Sequence, residues 1–408
     1  MKFVFAYDVQ VEQIRGSHDV YHNYFDYNVW QRYLQACSQL AVVTRIIDLE
    51  PGQQPVNRKL SSGPNVTFQA VPNLSNPIAQ LTNRKQAQAI IQQQLEGADA
   101  LIARLPSEIG AEAIRVAKRM GKPWAVEVVG HAWDALWNYG TWQGKVYAPI
   151  MTLRTKRLVK QSAYALYVTR SFLQGHYPTK GRTIHCSNVE VGAAPREVLR
   201  DRLERIKHLD STLGEAAELR IGLVGSLASK YKGVDIAIQA IAQLKDLNVS
   251  FHVLGEGDQS RWRRYADQLG VTDRIVFHDP VPSGSEVQKW LDKLDMYIQP
   301  SFQEGLPRAL IEAMSRALPS IGSTAGGIPE LLPKQWIVPK GNWAELADKI
   351  RLLATSPALM QEAAIKNYEE AGQYSNEVLN ARRTAFWESF AQDVRQQSRI
   401  SVAKLVEG

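Results

Sequence analysis

The chain has 408 residues, 45% hydrophobic and 22% charged, with 48 Lys/Arg against 41 Asp/Glu and a net charge of +7. Its length and apolar content suffice for two cored domains and exclude a disordered chain. Only Cys37 and Cys186 are present, far apart and without a C-x-x-C partner, which argues against a disulfide framework and a cysteine zinc site.

The start, MKFVFAYDVQ, has one Lys before a short apolar run and then an Asp, so it reads as a first strand and not a signal peptide. No stretch approaches the roughly 20 apolar residues needed to cross a bilayer, and a reducing, cytoplasmic setting is expected. The loop that follows, GSHDVYHNYF, gathers His18, Asp19 and His22 among aromatic residues. Asp19 is a candidate acceptor-binding residue there; the spacing matches no familiar metal-ligand motif.

Trp30, Tyr33, Leu34 and Cys37 then share one helical face, and AVVTRII and ADALIA read as strands. Ser107 suits a helix N-cap ahead of a stripe made by Ile109, Ala113, Val116, Ala117 and Met120. WAVEVV and ALYVT are further strands. After the first of these, WAVEVVGHAWDALWNYG sets His131 and Asp134 one helical turn apart at a strand end. A histidine there can orient a hydroxyl or shuttle a proton near neutral pH, although a lone His in an apolar stretch also serves structure alone. Trp133, Trp137 and Tyr139 beside it either stack on a sugar ring or fill the core.

Charge is unevenly spread. Residues 1–200 hold 23 Lys/Arg against 14 Asp/Glu, and residues 201–408 hold 25 against 27. The densest basic cluster is Arg154, Lys156, Arg157 and Lys160 in TLRTKRLVK, read as a solvated helix face or as contact with an anionic membrane surface. On a helical wheel Ile150, Met151, Leu153 and Val159 do not separate cleanly from those charges. The basic residues are not interleaved with a platform of aromatics, so no nucleic-acid partner is expected.

Between Val191 and Glu218 the sequence loses strand character, as a linker plus a helix would. The second half then repeats the alternation with RIGLVG, VSFHVLG, RIVFH, MYIQP and PSIG. The expectation is an α/β protein of two Rossmann-like domains with parallel sheets. Residues 1–195 are expected to form an acceptor-binding domain, 196–372 a donor-binding domain, and 373–408 a helix packing back on the first.

Ligands of open α/β sheets bind at the carboxyl ends of the strands. After RIGLVG come Ser226, Lys230, Lys232 and Gly233, where Lys232 offers positive charge to a phosphate and Gly233 allows close backbone approach; two surface lysines and a helix-starting glycine are the plain alternative. In LGEGDQS, Gly255 and Gly257 bring backbone near a base or ribose or form a tight loop. The dinucleotide fingerprint fails there because Ser260 replaces its third glycine, which disfavours an oxidoreductase. After MYIQP the chain reads PSFQEGLPRALIEAM, with Glu304 in a loop and Glu312 about one and a half turns into a helix. Pro307 suits the first helical position, leaving amides around Gly305 and Leu306 open to phosphate. Gly326-Gly327, followed by Ile328, Pro329 and Glu330, forms a turn. Carboxylates beside an anion site imply a ligand with both phosphates and sugar hydroxyls, as a nucleotide sugar has.

PSFQEGLPRALIEAM with GGIPE, preceded by LVGSLASKYKGVD and LGEGD, resembles the donor domain of family 4 glycosyltransferases of the GT-B fold, over roughly residues 219–335. The resemblance implies that Glu312 binds the ribose hydroxyls, Glu304 sits against the donor sugar as a catalytic group, and Lys232 holds the diphosphate. Gly305 and Leu306 would add main-chain amides, and His131 would be the acceptor-side catalytic histidine. It further implies a retaining reaction without metal or cofactor, the nucleotide diphosphate sugar being a co-substrate; no D-x-D triplet occurs in the chain. The acceptor would attack from the face of the departing nucleotide, whose phosphate oxygen takes the proton.

Two departures stand out. Ser226 occupies a position where many relatives carry Arg, leaving Lys230 or Arg308 to compensate, and AYDVQVEQIRGSHD replaces the glycine-rich loop usual after strand one. The function implied is transfer of a hexose to a glycan or lipid-linked acceptor in polysaccharide or glycolipid biosynthesis, by an enzyme either free in the cytoplasm or peripheral on the inner membrane face. Another GT-B nucleotide-sugar enzyme, or a catalytically silent GT-B sugar-binding or assembly protein, is the alternative.

Overall fold

The computed structural model describes the chain except residues 51–52, 54, 56–57, 139–140, 213–217 and 407–408. Short apolar runs become the strands β1 (Lys2–Ile14), β2 (Val20–His22), β3 (Gln39–Leu49), β4 (Lys59–Leu60), β5 (Val66–Ala70), β6 (Ala100–Leu105), β7 (Trp124–Val128), β8 (Tyr164–Tyr167) and β9 (Arg182–His185). A parallel sheet runs β5-β3-β1-β6-β7-β8-β9, with β2 added antiparallel to the far end of β1 and β4 antiparallel to β2. Its central strands are covered on both faces, so Phe3, Val4, Phe5 and Ala6 are all fully buried in succession. The short or polar strands β2, β4, β5 and β9 carry no such run and gave no signal in the sequence.

β1 outruns its neighbours. Its pairing with β6 ends at Ala6 opposite Ala103, yet the strand continues to Ile14 against β3 and β2. At strand rise, that is about 25 Å of chain beyond the common edge. This extension takes the place of the missing glycine-rich loop.

The second sheet is built from β10 (Leu219–Val224), β11 (Val249–Leu254), β12 (Ile275–His278), β13 (Met296–Gln299), β14 (Ser320–Ser323) and β15 (Ile337–Val338). It is parallel throughout, in the order β12-β11-β10-β13-β14-β15, with its topological switch between β10 and β13. The helix Arg196–Thr212 follows the first crossing between domains.

The chain returns at Ser375, where the Asn376 N–H donates to the Val191 carbonyl at 2.8 Å, so both crossings lie side by side. From there the helix Asn376–Val406 lays Phe386, Trp387 and Phe390 on the first domain, against Tyr164, Tyr33 and Phe3. The Tyr164 hydroxyl donates to Asp393 at 2.6 Å, and Arg383 donates to the Ser187 carbonyl at 2.7 Å. None of the helices among the described residues is long and apolar enough to cross a membrane.

Candidate active site in the interdomain cleft

The second-domain wall of the cleft is organised around one ion pair. Lys232 Nζ lies 2.7 Å from Glu304 Oε1, with only 15% and 9% of the two side chains exposed. The same carboxylate oxygen accepts from Ser301 Oγ at 2.8 Å and Gln299 Nε2 at 3.1 Å. Gln299 is itself held by the buried Tyr297 hydroxyl at 2.8 Å. Strand β13 thus carries a polar chain that aims Glu304 across the end of β10 at Lys232. Burial pushes the Lys232 ammonium down, but Glu304 and Tyr231 outweigh it, so its pKa is raised and the charge is kept.

Glycines make this approach possible. Gly233 is left-handed at φ 71°, and a Cβ there would lie 2.1 Å from the Pro300 carbonyl oxygen. A Cβ on Gly255 would fall 1.8 Å from the Gly225 carbonyl oxygen, so Gly255 lets two strand-end loops touch. Ser226 Oγ accepts from the Ala228 N–H at 3.2 Å, stabilising its own turn, and Lys230 is exposed.

The helix carrying Glu312 runs Arg308–Ser315, and Pro307 is its N-cap in extended geometry, one position earlier than the sequence suggested. At ψ 110° proline has not yet entered the helix. The first-turn amides without intrahelical partners are therefore those of Arg308, Ala309 and Leu310, directly after Gly305 and Leu306. Leu306 is buried, and the Gly305 carbonyl accepts from the Gly327 N–H at 2.7 Å. Gly305 also faces the other domain, since a Cβ on it would sit 2.5 Å from the Val129 carbonyl oxygen. Arg308, exposed at the helix mouth, places its guanidinium 4.7 Å from the centre of the Tyr24 ring across the cleft. Burial pushes the Glu312 carboxyl up, and Arg308 offsets part of that.

On the first-domain wall His131 occupies the N-cap of the helix Ala132–Trp137, with Nδ1 3.3 Å from Asp134 Oδ2. Its ring lies 4.1 Å from the ring of His176, on the helix Phe172–His176, and edge-on to Phe172. Burial and the neighbouring His131 both push His176 down. For Asp134 burial acts upward, but His131 and Lys340 of the other domain outweigh it, and its pKa is lowered. Lys340 Nζ is 3.8 Å from Asp134 Oδ2, so Asp134 meets the second domain directly and His131 meets it through Asp134.

Asp19 is not brought to this group. It is exposed at the tip of the β1–β2 hairpin, beyond the last residues of β1, because the strand continues past the sheet edge. His22 is structural, its Nδ1 accepting the N–H groups of Tyr24 and Phe25 at 3.0 and 3.1 Å. Trp133 and Trp137 stack on each other at 5.2 Å and are 37% and 44% exposed, so neither fills the core. Tyr139 lies outside the described residues.

One residue read only as part of a turn proves central to the domain contact. The Glu330 carboxylate accepts from Ser171 N and Oγ at 3.0 and 3.1 Å, and from the N–H groups of Arg170 and Phe172. It thereby caps the helix bearing His176. The Gly326-Gly327 turn beneath it packs on the Glu304 and Gly305 carbonyls. Arg170 adds contacts to Glu370 and to the Tyr374 hydroxyl. GGIPE reads in sequence as a turn, but the partner of its Glu330 lies 158 residues away in the other domain.

Two Rossmann-like domains whose strand ends face one cleft, with a largely buried Lys–Glu pair on one wall and a histidine pair on the other, have the GT-B fold. Residues 218–356 match the family model described as glycosyl transferases group 1. Over 386 residues the chain is 27% identical to Protein CapJ of Staphylococcus aureus, covering 94% of each. It is 35% identical over 147 residues to the putative colanic acid biosynthesis glycosyltransferase WcaL of Escherichia coli, covering 33% of this chain and 36% of that one. In fold it is similar to Anabaena HepE, solved in complex with UDP-glucose, with a TM-score of 0.59 and 15% identity over 98% of this chain and 99% of that one.

Proposed function

We propose that the protein is a retaining, metal-independent family 4 hexosyltransferase. It moves a hexose from a nucleoside diphosphate sugar to a glycan or lipid-linked acceptor in polysaccharide biosynthesis. The observation that carries this reading is the Lys232–Glu304 pair at the strand ends, close to a helix mouth where Arg308 sits. The diphosphate is a natural ligand for Lys232, Arg308 and the first-turn amides, which supply the positive field a leaving nucleotide needs. Once Lys232 turns to the phosphates, Glu304 is free to accept a sugar hydroxyl, and Glu312 can accept from the ribose. The relatives in colanic acid synthesis and the UDP-glucose-bound neighbour support the donor class and the pathway class.

His131, oriented by Asp134, holds the acceptor hydroxyl from the opposite wall. The acceptor oxygen forms the new bond at the anomeric carbon on the side from which the nucleotide leaves. A phosphate oxygen of the leaving group takes the acceptor proton, so no protein nucleophile is required. The test is a donor-hydrolysis screen across UDP, GDP, ADP and TDP hexoses with and without EDTA, comparing native protein with Glu312→Ala. Product anomeric configuration read by NMR completes it. Hydrolysis of one donor, insensitive to EDTA and lost in the variant, is expected; inversion at the anomeric carbon or an EDTA-sensitive rate would overturn the corresponding part.

A further inference from the structure

The outward face of the helix Trp142–Gln161 is apolar where a solvated helix is polar. Trp142, Val146, Ile150 and Leu153 are 72%, 62%, 54% and 56% exposed. Their spacing confines them to about 80° of the helix circumference. Ala148, Thr155, Leu158 and Val159 occupy the opposite, buried side. The adjoining helix Pro77–Glu96, joined by the hydrogen bond from Gln80 Nε2 to the Tyr147 hydroxyl at 3.0 Å, adds Ile78 and Leu81, exposed by 75% and 86%.

The charges around this face have one sign. The helix Trp142–Gln161 contains no Asp or Glu, and its Lys145, Lys156, Arg157 and Lys160 are all exposed. Lys85 stands exposed on the neighbouring helix. Arg157 and Lys160 continue the apolar stripe towards the helix end on the same side. A second copy of the chain is a poor occupant, because a symmetric contact through this face would set cationic helices against each other without carboxylates. A lipid surface with anionic headgroups complements both features at once.

We propose that this face seats in an anionic lipid surface and holds the cleft against it. The stripe leads towards the acceptor wall. Lys145 Nζ lies 5.5 Å from the centre of the Trp137 ring, which stacks on Trp133 in the short helix bearing Asp134. A lipid-linked acceptor anchored in that surface therefore presents its polar head near His131. This second statement rests on the glycosyltransferase reading above; the docking itself does not.

The experiment is cosedimentation of the full chain with vesicles of phosphatidylcholine alone, or of phosphatidylcholine and phosphatidylglycerol in equal parts. The native protein is expected to bind the mixed vesicles at least about tenfold more tightly. Replacing Trp142 and Leu153 together with Ser lowers that binding by about tenfold or more. Lys156→Gln, Arg157→Gln and Lys160→Gln each lower it by about fivefold. Circular dichroism melting, unchanged in the variants, shows that the fold is kept. Equal binding by native protein and variants, equal binding to both vesicle types, or no binding by the native protein would overturn the proposal. So would a lipid-free dimer in ultracentrifugation that the double Ser variant dissolves. UDP binding on the same samples reports on the donor site separately, so the two readings fail independently.

Discussion

Replacing Glu304 with Gln should have opposite effects on nucleotide binding and on turnover. In the ligand-free protein the ammonium of Lys232 is occupied by the Glu304 carboxylate at 2.7 Å. At an effective dielectric of about 20, unit charges at that separation attract by about 6 kcal/mol before desolvation is counted. The net worth of such a charged hydrogen bond is smaller, about 1.5–2 kcal/mol, and the amide oxygen of glutamine still accepts from Lys232. Glu304→Gln therefore removes a competitor for the diphosphate and a negative charge beside it. UDP affinity should rise roughly 10- to 30-fold, while turnover falls by about 100-fold or more because the sugar loses its carboxylate. Isothermal titration with UDP and a UDP-release assay at saturating donor measure the two arms. Weaker or unchanged UDP binding in a variant of native stability would refute the idea that the Lys232–Glu304 pair must open for the donor.

Lys232→Met should lower kcat/KM by about 100-fold and destabilise the protein by about 3 kcal/mol, since it strands the nearly buried Glu304. Lys230→Met, at an exposed position, should cost less than about threefold in kcat/KM; equal losses in both variants would overturn this ranking. Glu312 has its carboxyl pushed up by burial, so the folded protein holds that proton more tightly than the unfolded chain. Its protonated form favours folding, fully below the ordinary Glu value and decreasingly as pH rises through the raised one. UDP affinity should run the other way, weakening as pH falls through that raised value because a protonated carboxyl loses acceptor capacity. A UDP affinity independent of pH above the ordinary carboxylate range would count against Glu312 as the ribose ligand. Glu330→Gln should weaken the cap on the His176 helix, lower stability by about 1–2 kcal/mol and raise acceptor KM, leaving UDP affinity unchanged. An equal change in UDP affinity would show that Glu330 acts on the donor side instead.

The elements legible in sequence were those with long apolar runs. KFVFAY, AVVTRII, ADALIA, RIGLVG and VSFHVLG are all sheet strands, because a strand covered on both faces needs apolar residues at every position. RTIH and the Lys59–Leu60 strand lack that pattern, lying at sheet edges or on the hairpin extension, where one face is wet. Lys232, Glu304 and Glu312 could be singled out because they fall within 81 residues of one domain, the first two after β10 and β13 and the third on the helix that follows. The place of Asp19 on an extended hairpin was not legible, because nothing in the local sequence announces that β1 continues past its neighbours.

The sequence by itself determined the two parallel sheets and the chemistry offered at the ends of β10 and β13, since strand runs and strand-end residues are local features. Tertiary structure alone decided which groups are partners across the cleft. Lys340 with Asp134, Arg308 with Tyr24, Gly305 with Val129 and Glu330 with residues 170–172 are joined only when one domain docks on the other. It also decided that Trp142, Val146, Ile150 and Leu153 face outward while Leu158 and Val159 face inward, because a mixed helix shows its two sides only once one of them has found the core.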